Sequence, residues 1–286
     1  MPAETSPPAI LTIADHRRDS AGMTYVYPVV SRRAGGVSIG INLNPNNACN
    51  WRCIYCQVPD LRRGGPPPID LALLERELRG FLDHALHGSF LDERVPVGSR
   101  RIADVAFSGN GEPTSAAEFA DAVAVVAGVL ADLKLDLDIR LRLITNGSLI
   151  DRRDVQQGLA LIGKCGGEVW FKVDTATAEG LAGINGARLK PAGTERRLAR
   201  AAALCPTWVQ TCLFRVDGVP PGDRELDAYL ALLARNRDVL VGVQLYSIAR
   251  PPMQPHAERL SPLTAEWLEA LAGRIAKLGL TVNVSP

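Results

Sequence analysis

The chain has 286 residues, 47% of them apolar and 5% aromatic, and a formal net charge of +1. That length suits one large domain or two small ones with a sizeable core. A charge so near neutral excludes a global pull towards nucleic acid or an anionic membrane and leaves a local basic patch as the alternative.

Met1 to Pro8 is polar and proline-rich and lacks the basic-then-apolar order of a secretory signal. No apolar run reaches the roughly 18 residues that span a bilayer. The expectation is a soluble, cytoplasmic protein with no membrane partner. Six cysteines in a chain this long do not make a disulfide scaffold, and in a reducing compartment clustered cysteines favour metal.

Residues 1–35 show little periodicity and read as an N-terminal arm; residues 36–286 read as a single domain. Val37 to Leu43 alternates as a strand does, and a loop rich in Asn and Cys follows. After the breaker Gly64 to Pro68, Ile69 to His84 has helical spacing. Ala103 to Ser108 reads as a strand. Ser115 and Glu118 read as a capping box opening a helix to Leu133. Four more strands are expected at 139–145, 168–174, 208–215 and 239–246. Helices are expected at 151–163, 195–204, 223–236 and 264–278, and a last short strand at 281–284.

These make about six βα units in tandem, so the class is α/β with a parallel sheet and helices outside. The strands read as near-continuously apolar, as when both faces are buried. A closed eight-fold barrel needs two more units. A partial barrel and an open doubly wound sheet both fit the alternation.

Cys49, Cys53 and Cys56 place three thiols within eight positions, after the first strand, where a βα barrel puts its chemistry. Thiolates are the usual ligands of iron–sulfur clusters. Three ligands cannot fill four iron sites, and the open iron can chelate a small molecule through an amine and a carboxylate. A structural zinc site wants four ligands. No nearby Cys or His completes one, since His16, His84, His87 and His256 are scattered.

The CxxxCxxC spacing, with Tyr55 just before the last cysteine, resembles the signature of the radical S-adenosylmethionine (SAM) superfamily. The resemblance implies a partial (β/α)6 barrel and a 4Fe–4S cluster on Cys49, Cys53 and Cys56. It also implies reductive cleavage of SAM to methionine and a 5′-deoxyadenosyl radical, which takes hydrogen from a substrate. A flavodoxin- or ferredoxin-type reductant is implied as partner.

Gly109, Asn110, Gly111 and Glu112 end the second strand and resemble the superfamily's "GGE" turn, which binds the methionine amino group. Glycines let backbone approach a ligand closely, and Glu112 can accept from an ammonium; the plainer reading is a turn before a capped helix. Asn146 and Ser148 end the third strand, as polar contacts to SAM or as an Asn-Gly turn. Lys172 and Asp174 close the fourth, on a barrel rim facing SAM or substrate, unless Asp174 is a helix cap. Gln210 and Thr211 in the fifth strand, and Gln244 and Tyr246 in the sixth, need partners if buried and point inward in such a fold. Cys165, Cys205 and Cys212 lack tight spacing and read as core cysteines.

The flanks, from Tyr27-Pro28 and Gly40 to Pro45 through Ile184-Asn185 to Gln244–Pro252, are similar to small prokaryotic radical SAM proteins related to the wyosine-base-forming tRNA enzymes. The similarity covers residues 25–255 and is specific for the SAM machinery. Arg188, Lys190, Arg196, Arg197 and Arg200, with Arg32, Arg33, Arg62 and Arg63, form either a phosphate-binding face or a solvated face balanced by acids such as Glu195. Basic–aromatic interleaving is absent, so a nucleoside, an RNA and a small metabolite all stay open as substrates. The rival function is a non-catalytic iron–sulfur electron carrier or redox sensor, which has no need of a turn such as Gly109–Glu112. A nucleotide-binding open sheet lacks its P-loop or GxGxxG.

Overall fold

The computed structural model of the protein describes residues 10–12, 22–31, 34–135 and 138–285. Most of the N-terminal 21 residues, and Arg32 and Arg33 of the basic set, lie outside the described residues.

Strand β1 (Val26–Ser31) pairs antiparallel with β2 (Gly36–Ile41). β1 falls in the stretch expected to be an arm. Its run of Val and Tyr suits a strand, and Pro28 is tolerated because β1 is a sheet edge. The cysteine loop after β2 carries two-residue strands β3 (Ala48–Cys49) and β4 (Arg62–Arg63), parallel to each other. Helix α1 (Leu71–His87) starts at Asp70, whose side chain accepts the Leu73 N–H. A short α2 (Phe90–Arg94) leads to β5 (Ile102–Phe107).

Helix α3 (Phe119–Asp132) begins four residues after the expected capping Ser115. The capping box is not made. Pro113 opens a short 3-10 turn capped by the Glu112 side chain, and Ser115 Oγ donates to the Glu112 carbonyl at 2.6 Å.

The chain then runs through β6 (Arg140–Thr145), α4 (Arg153–Lys164), β7 (Glu168–Lys172), α5 (Ala178–Gly183) and α6 (Pro191–Leu204). α6 opens four residues early, at a proline whose fixed φ suits a first helical turn. β8 (Thr207–Val216), α7 (Asp223–Asn236), β9 (Gly242–Ser247), β10 (Leu260–Pro262), α8 (Ala265–Ala276) and β11 (Thr281–Ser285) complete it.

The main sheet has the order β1-β2-β5-β6-β7-β8-β9-β11, parallel from β2 onward, with β10 antiparallel on β8. Strand order follows chain order without a reversal, whereas a doubly wound sheet reverses midway. Right-handed crossovers taken always in one direction put the helices on one face. The sheet curls about its other face into the partial barrel.

Its two faces differ. Val105, Phe107, Leu141, Leu143, Phe171 and Leu245 point to the helices and are buried in the main core. Phe107 meets Phe119 of α3 edge-on, ring centroids 5.9 Å apart. Each fully buried side chain of this size contributes about 1.5–3 kcal/mol. The other face bounds a cavity and carries Ser38, Asp104, Arg142, Lys172, Gln210 and Tyr246. The strands therefore alternate and are not apolar on both faces, because their inner side lines a polar interior.

Towards the N-terminal ends of the strands the interior is bounded by ion pairs. Arg142 pairs with Asp104, and its Nε donates to Glu168 Oε1 at 2.7 Å. Ser38 donates to Asp104, Trp170 Nε1 donates to Glu168 at 2.8 Å, and the Arg142 guanidinium lies over the Trp170 ring. No helix among the described residues is long and apolar enough to cross a membrane.

Candidate active site

The cysteine loop leaves the C-terminal end of β2, and its neighbours hold it on three sides. β3 and β4 pin its ends together. On one flank the N–H groups of Arg52 and Ile54 donate to the carbonyls of Asn185 and Ile184 at 3.0 and 2.9 Å. Arg63 clamps the same flank through the carbonyls of Asn50 and Gly186. On the other, the Met253 N–H and Gln254 Nε2 donate to the Cys56 carbonyl. Trp51 fills a small apolar cluster with Leu181 and Ala187, against which Cys49 and Cys53 pack.

The turn after β5 packs beneath this loop. Gly109 has φ 138°, and a Cβ there would run into the Asn42 side chain. A Cβ on Gly111 would strike the Ala48 carbonyl and Asn44. The close approach these glycines permit is thus to the cysteine loop's own base. Asn110 donates through its backbone N–H to Asn42 Oδ1 at 3.1 Å and through Nδ2 to Asn47 Oδ1 at 2.6 Å.

Glu112 is almost wholly buried, and burial raises its carboxyl pKa against the hydrogen bonds that lower it. Oε1 accepts from the Thr114 N–H and hydroxyl and from the Thr145 hydroxyl. Among the described residues Oε2 accepts the Asn146 N–H alone, at 2.7 Å, so a ligand ammonium would share that oxygen. Asn146 Nδ2 donates to Asn50 Oδ1 at 2.9 Å, and Asn50 Nδ2 donates to Ser148 Oγ at 2.8 Å. Asn50 thereby ties Cys49's neighbour to the end of β6.

A second network centres on Asp174. Its carboxylate accepts from the Tyr55 hydroxyl at 2.5 Å, Asn185 Nδ2 at 2.9 Å, the Cys212 N–H at 3.0 Å and Lys172 Nζ at 3.5 Å. It caps no helix. Burial opposes the Lys172 ammonium, but the Asp174 carboxylate and then the Tyr246 hydroxyl hold its pKa above the usual lysine value. Lys172 Nζ also lies 5.1 Å from the Tyr55 ring centroid and 3.3 Å from the Tyr246 hydroxyl. Burial, then Asp174, raises the Tyr55 pKa well above its ordinary value.

Cys49, Cys53, Cys56, Tyr55, Gly109 to Glu112, Asn146, Lys172, Gln210 and Tyr246 line one cavity of about 300 Å³. Ser148 and Asp174 stand just behind it. Thr211 turns away to share a hydrogen bond with Tyr229, and Gln244 is buried outside the lining. Cys205 is buried in the main core and Cys165 is half-exposed; Cys212 is buried but lines the cavity. Of the basic set, Arg196, Arg197 and Arg200 gather around Asp151, and Glu195 pairs with Arg235. Sequence reasoning assigned no role to Asn42, Asn44, Asn50, Asn185 or Gln254. The run of asparagines before Cys49 was the available signal for the first two, because buried amides need partners.

No protein-family model matches the chain. It is 32% identical over 149 residues to UPF0026 protein MJ1312 of Methanocaldococcus jannaschii, covering 52% of this chain and 39% of that protein. It is 28% identical over 134 residues to a GTPase Obg of Brachyspira hyodysenteriae, covering 47% of this chain and 17% of that protein. The chain spans less than half the length of either curated relative. Among solved structures it superposes on a radical SAM methyltransferase from Sphaerobacter thermophilus with a TM-score of 0.54 at 11% identity, over 91% of this chain and 68% of that one. The chain has the radical SAM fold. At that identity the likeness extends to the fold alone.

Proposed function

We propose that the protein is a radical SAM enzyme whose substrate binds in the cavity beside Lys172, Gln210 and Tyr246. One observation carries the reading: the three cysteines, the Gly109–Glu112 turn and the half-buried Lys172 all face a single cavity on the curled sheet's inner side.

The cysteines suit a metal cluster. Burial pushes the Cys49 thiol up to about 11 and the Cys53 thiol up to about 12, so neither ionises unaided near neutrality. A cationic iron centre supplies the stabilisation a buried thiolate needs. Among the described residues no three ligating side chains converge tightly enough to hold a single metal ion. A 4Fe–4S cluster asks for something else, one thiolate on each of several irons, and three donors leave one iron for an outside ligand. When bound and reduced by one electron, the cluster and SAM supply methionine and a 5′-deoxyadenosyl radical that takes hydrogen from carbon.

The chain's own residues do the rest. Cys49, Cys53 and Cys56 hold the cluster, and Trp51 keeps water from one side of it. Gly109 to Glu112 and Asn146 present backbone and carboxylate oxygens to the methionine end of SAM. Lys172, fixed by Asp174, sets a positive charge inside the cavity, and Gln210 and Tyr246 complete the substrate side. Gln210 Nε2 is buried without a partner among the described residues, which leaves it a donor for a bound ligand. The electron comes from a flavodoxin- or ferredoxin-type protein, in a reducing cytoplasm. The substrate is a nucleoside, an RNA or a small metabolite, and kinship with the wyosine-base-forming enzymes rests on the sequence motifs. A bare electron carrier has no use for a cavity with a fixed ammonium and an unpaired amide, so that reading is the weaker one.

Anaerobic reconstitution tests the proposal. Iron and sulfide should be taken up in equal amounts, and SAM should change the EPR spectrum of the reduced protein. No cluster, or a spectrum indifferent to SAM, contradicts it.

A further inference from the structure

Asn185 sits in the loop between α5 and α6 and is 1% exposed. Its Nδ2 faces two acceptors, Cys53 Sγ at 3.3 Å and Asp174 Oδ2 at 2.9 Å. Its Oδ1 is buried and meets no hydrogen-bond partner among the described residues. Leaving such an acceptor unmet is unfavourable. Turning the amide over would not remove that cost. It would set the amide oxygen against the Asp174 carboxylate, which offers only acceptors. The surroundings therefore enforce one orientation, with nitrogen towards the thiol.

The backbone reinforces it. The Asn185 carbonyl accepts the Arg52 N–H at 3.0 Å, and the Ile184 carbonyl accepts the Ile54 N–H at 2.9 Å. Arg63 joins Gly186 to Asn50 across the same seam. The amide cannot drift from Cys53 without carrying the cysteine loop with it. Asp174 is itself fixed by Tyr55, Cys212 and Lys172, so it acts as a rigid stop that aims the amide.

We propose that Asn185 is a positioning residue that donates an N–H···S hydrogen bond to Cys53 and so raises the reduction potential of the cluster Cys53 helps to hold. This rests on the radical SAM reading above. A donor at a ligating sulfur withdraws charge from it and favours the reduced, more negative state. Asn185 then sets how strong a reductant the cavity's chemistry demands.

The test is an EPR-monitored redox titration of the anaerobically reconstituted full chain, wild type against Asn185→Leu and Asn185→Asp. Equal iron and sulfide content is expected in all three, with the midpoint shifted to more negative potential in Asn185→Leu and further still in Asn185→Asp. Pulsed EPR of wild type grown on [γ-15N]asparagine should show a nitrogen coupling to the reduced cluster. Equal midpoints in wild type and Asn185→Leu overturn the proposal, as does a labelled wild type without the coupling. If Asn185→Leu takes up no cluster, the midpoint of Asn185→Asp decides. If wild type takes up no cluster, the radical SAM reading falls, and this proposal with it.

Discussion

Glu112 Oε2 accepts the Asn146 backbone N–H at 2.7 Å, tying the turn after β5 to the end of β6. With three further donors on Oε1, the carboxylate joins two neighbouring strand ends before it meets any ligand. Glu112→Ala leaves these neutral donors buried without their acceptor and should cost about 1–3 kcal/mol, the scale for stranding buried hydrogen-bonding groups. Denaturant unfolding at neutral pH measures it. A loss under about 1 kcal/mol, the scale of a single neutral hydrogen bond, would mean the network is not formed.

Gly111 bears on the cysteine loop through sterics alone. Gly111→Ala pushes a methyl into the Ala48 carbonyl, one residue before Cys49. The variant should fold with native far-UV circular dichroism yet take up much less iron on reconstitution. Full iron content in Gly111→Ala would show that the loop's seat does not depend on this contact.

Arg142 holds two buried acids, and acidification should expose that. Glu168 has its pKa lowered; burial works against this, but Arg142, Trp170 and Arg140 outweigh it. Its contribution is present above the unfolded carboxylate value and is lost as pH falls through the lower folded value. Asp104 is shifted the other way, because its burial outweighs Arg142 and Ser38. In Arg142→Met, Asp104 loses its paired guanidinium while Glu168 keeps Arg140 and Trp170, costing about 3–5 kcal/mol near neutrality. Protonation of the acids relieves the loss, so the gap to wild type should narrow steadily from pH 7 to pH 4. A gap constant with pH would contradict this pairing.

Much of the fold was legible because βα alternation is a strong pattern, and α7 lies where its apolar spacing put it. Whether the sheet curls or reverses was not legible, since strand order depends on which neighbours pair and not on the strands' own residues. The inner face was misread for a related reason. Asp104, Arg142 and Glu168 stand in strands that look buried throughout, and only the curl gives them an interior to share. At the site, thiol spacing and the Gly-rich turn declared themselves locally. Asn185 did not, because it reaches Cys53 across 132 residues of sequence. The Ser115 capping box was a local signal overridden by Pro113 and by Glu112's own capping bond.

Cys49→Ala separates the proposed cluster from the fold. The thiol packs at the edge of a small apolar cluster away from the main core. The variant should keep its circular dichroism and thermal transition while losing the cluster's visible absorption. A variant that still loads a full cluster would remove Cys49 from the ligand set.

The hydrogen donor can be traced by isotope. In deuterated candidate pools of nucleosides, RNA and small metabolites, the true substrate should pass deuterium into 5′-deoxyadenosine, read by mass spectrometry. Label arriving only from solvent would point away from a substrate carbon bound in this cavity.

The most direct measurement is SAM cleavage itself. The reconstituted, reduced wild-type chain incubated with SAM should release 5′-deoxyadenosine and methionine, and Cys49→Ala, Cys53→Ala and Cys56→Ala should release neither. A cluster-loaded, reduced wild type that yields no 5′-deoxyadenosine with any candidate substrate would contradict a radical SAM enzyme built on these three cysteines.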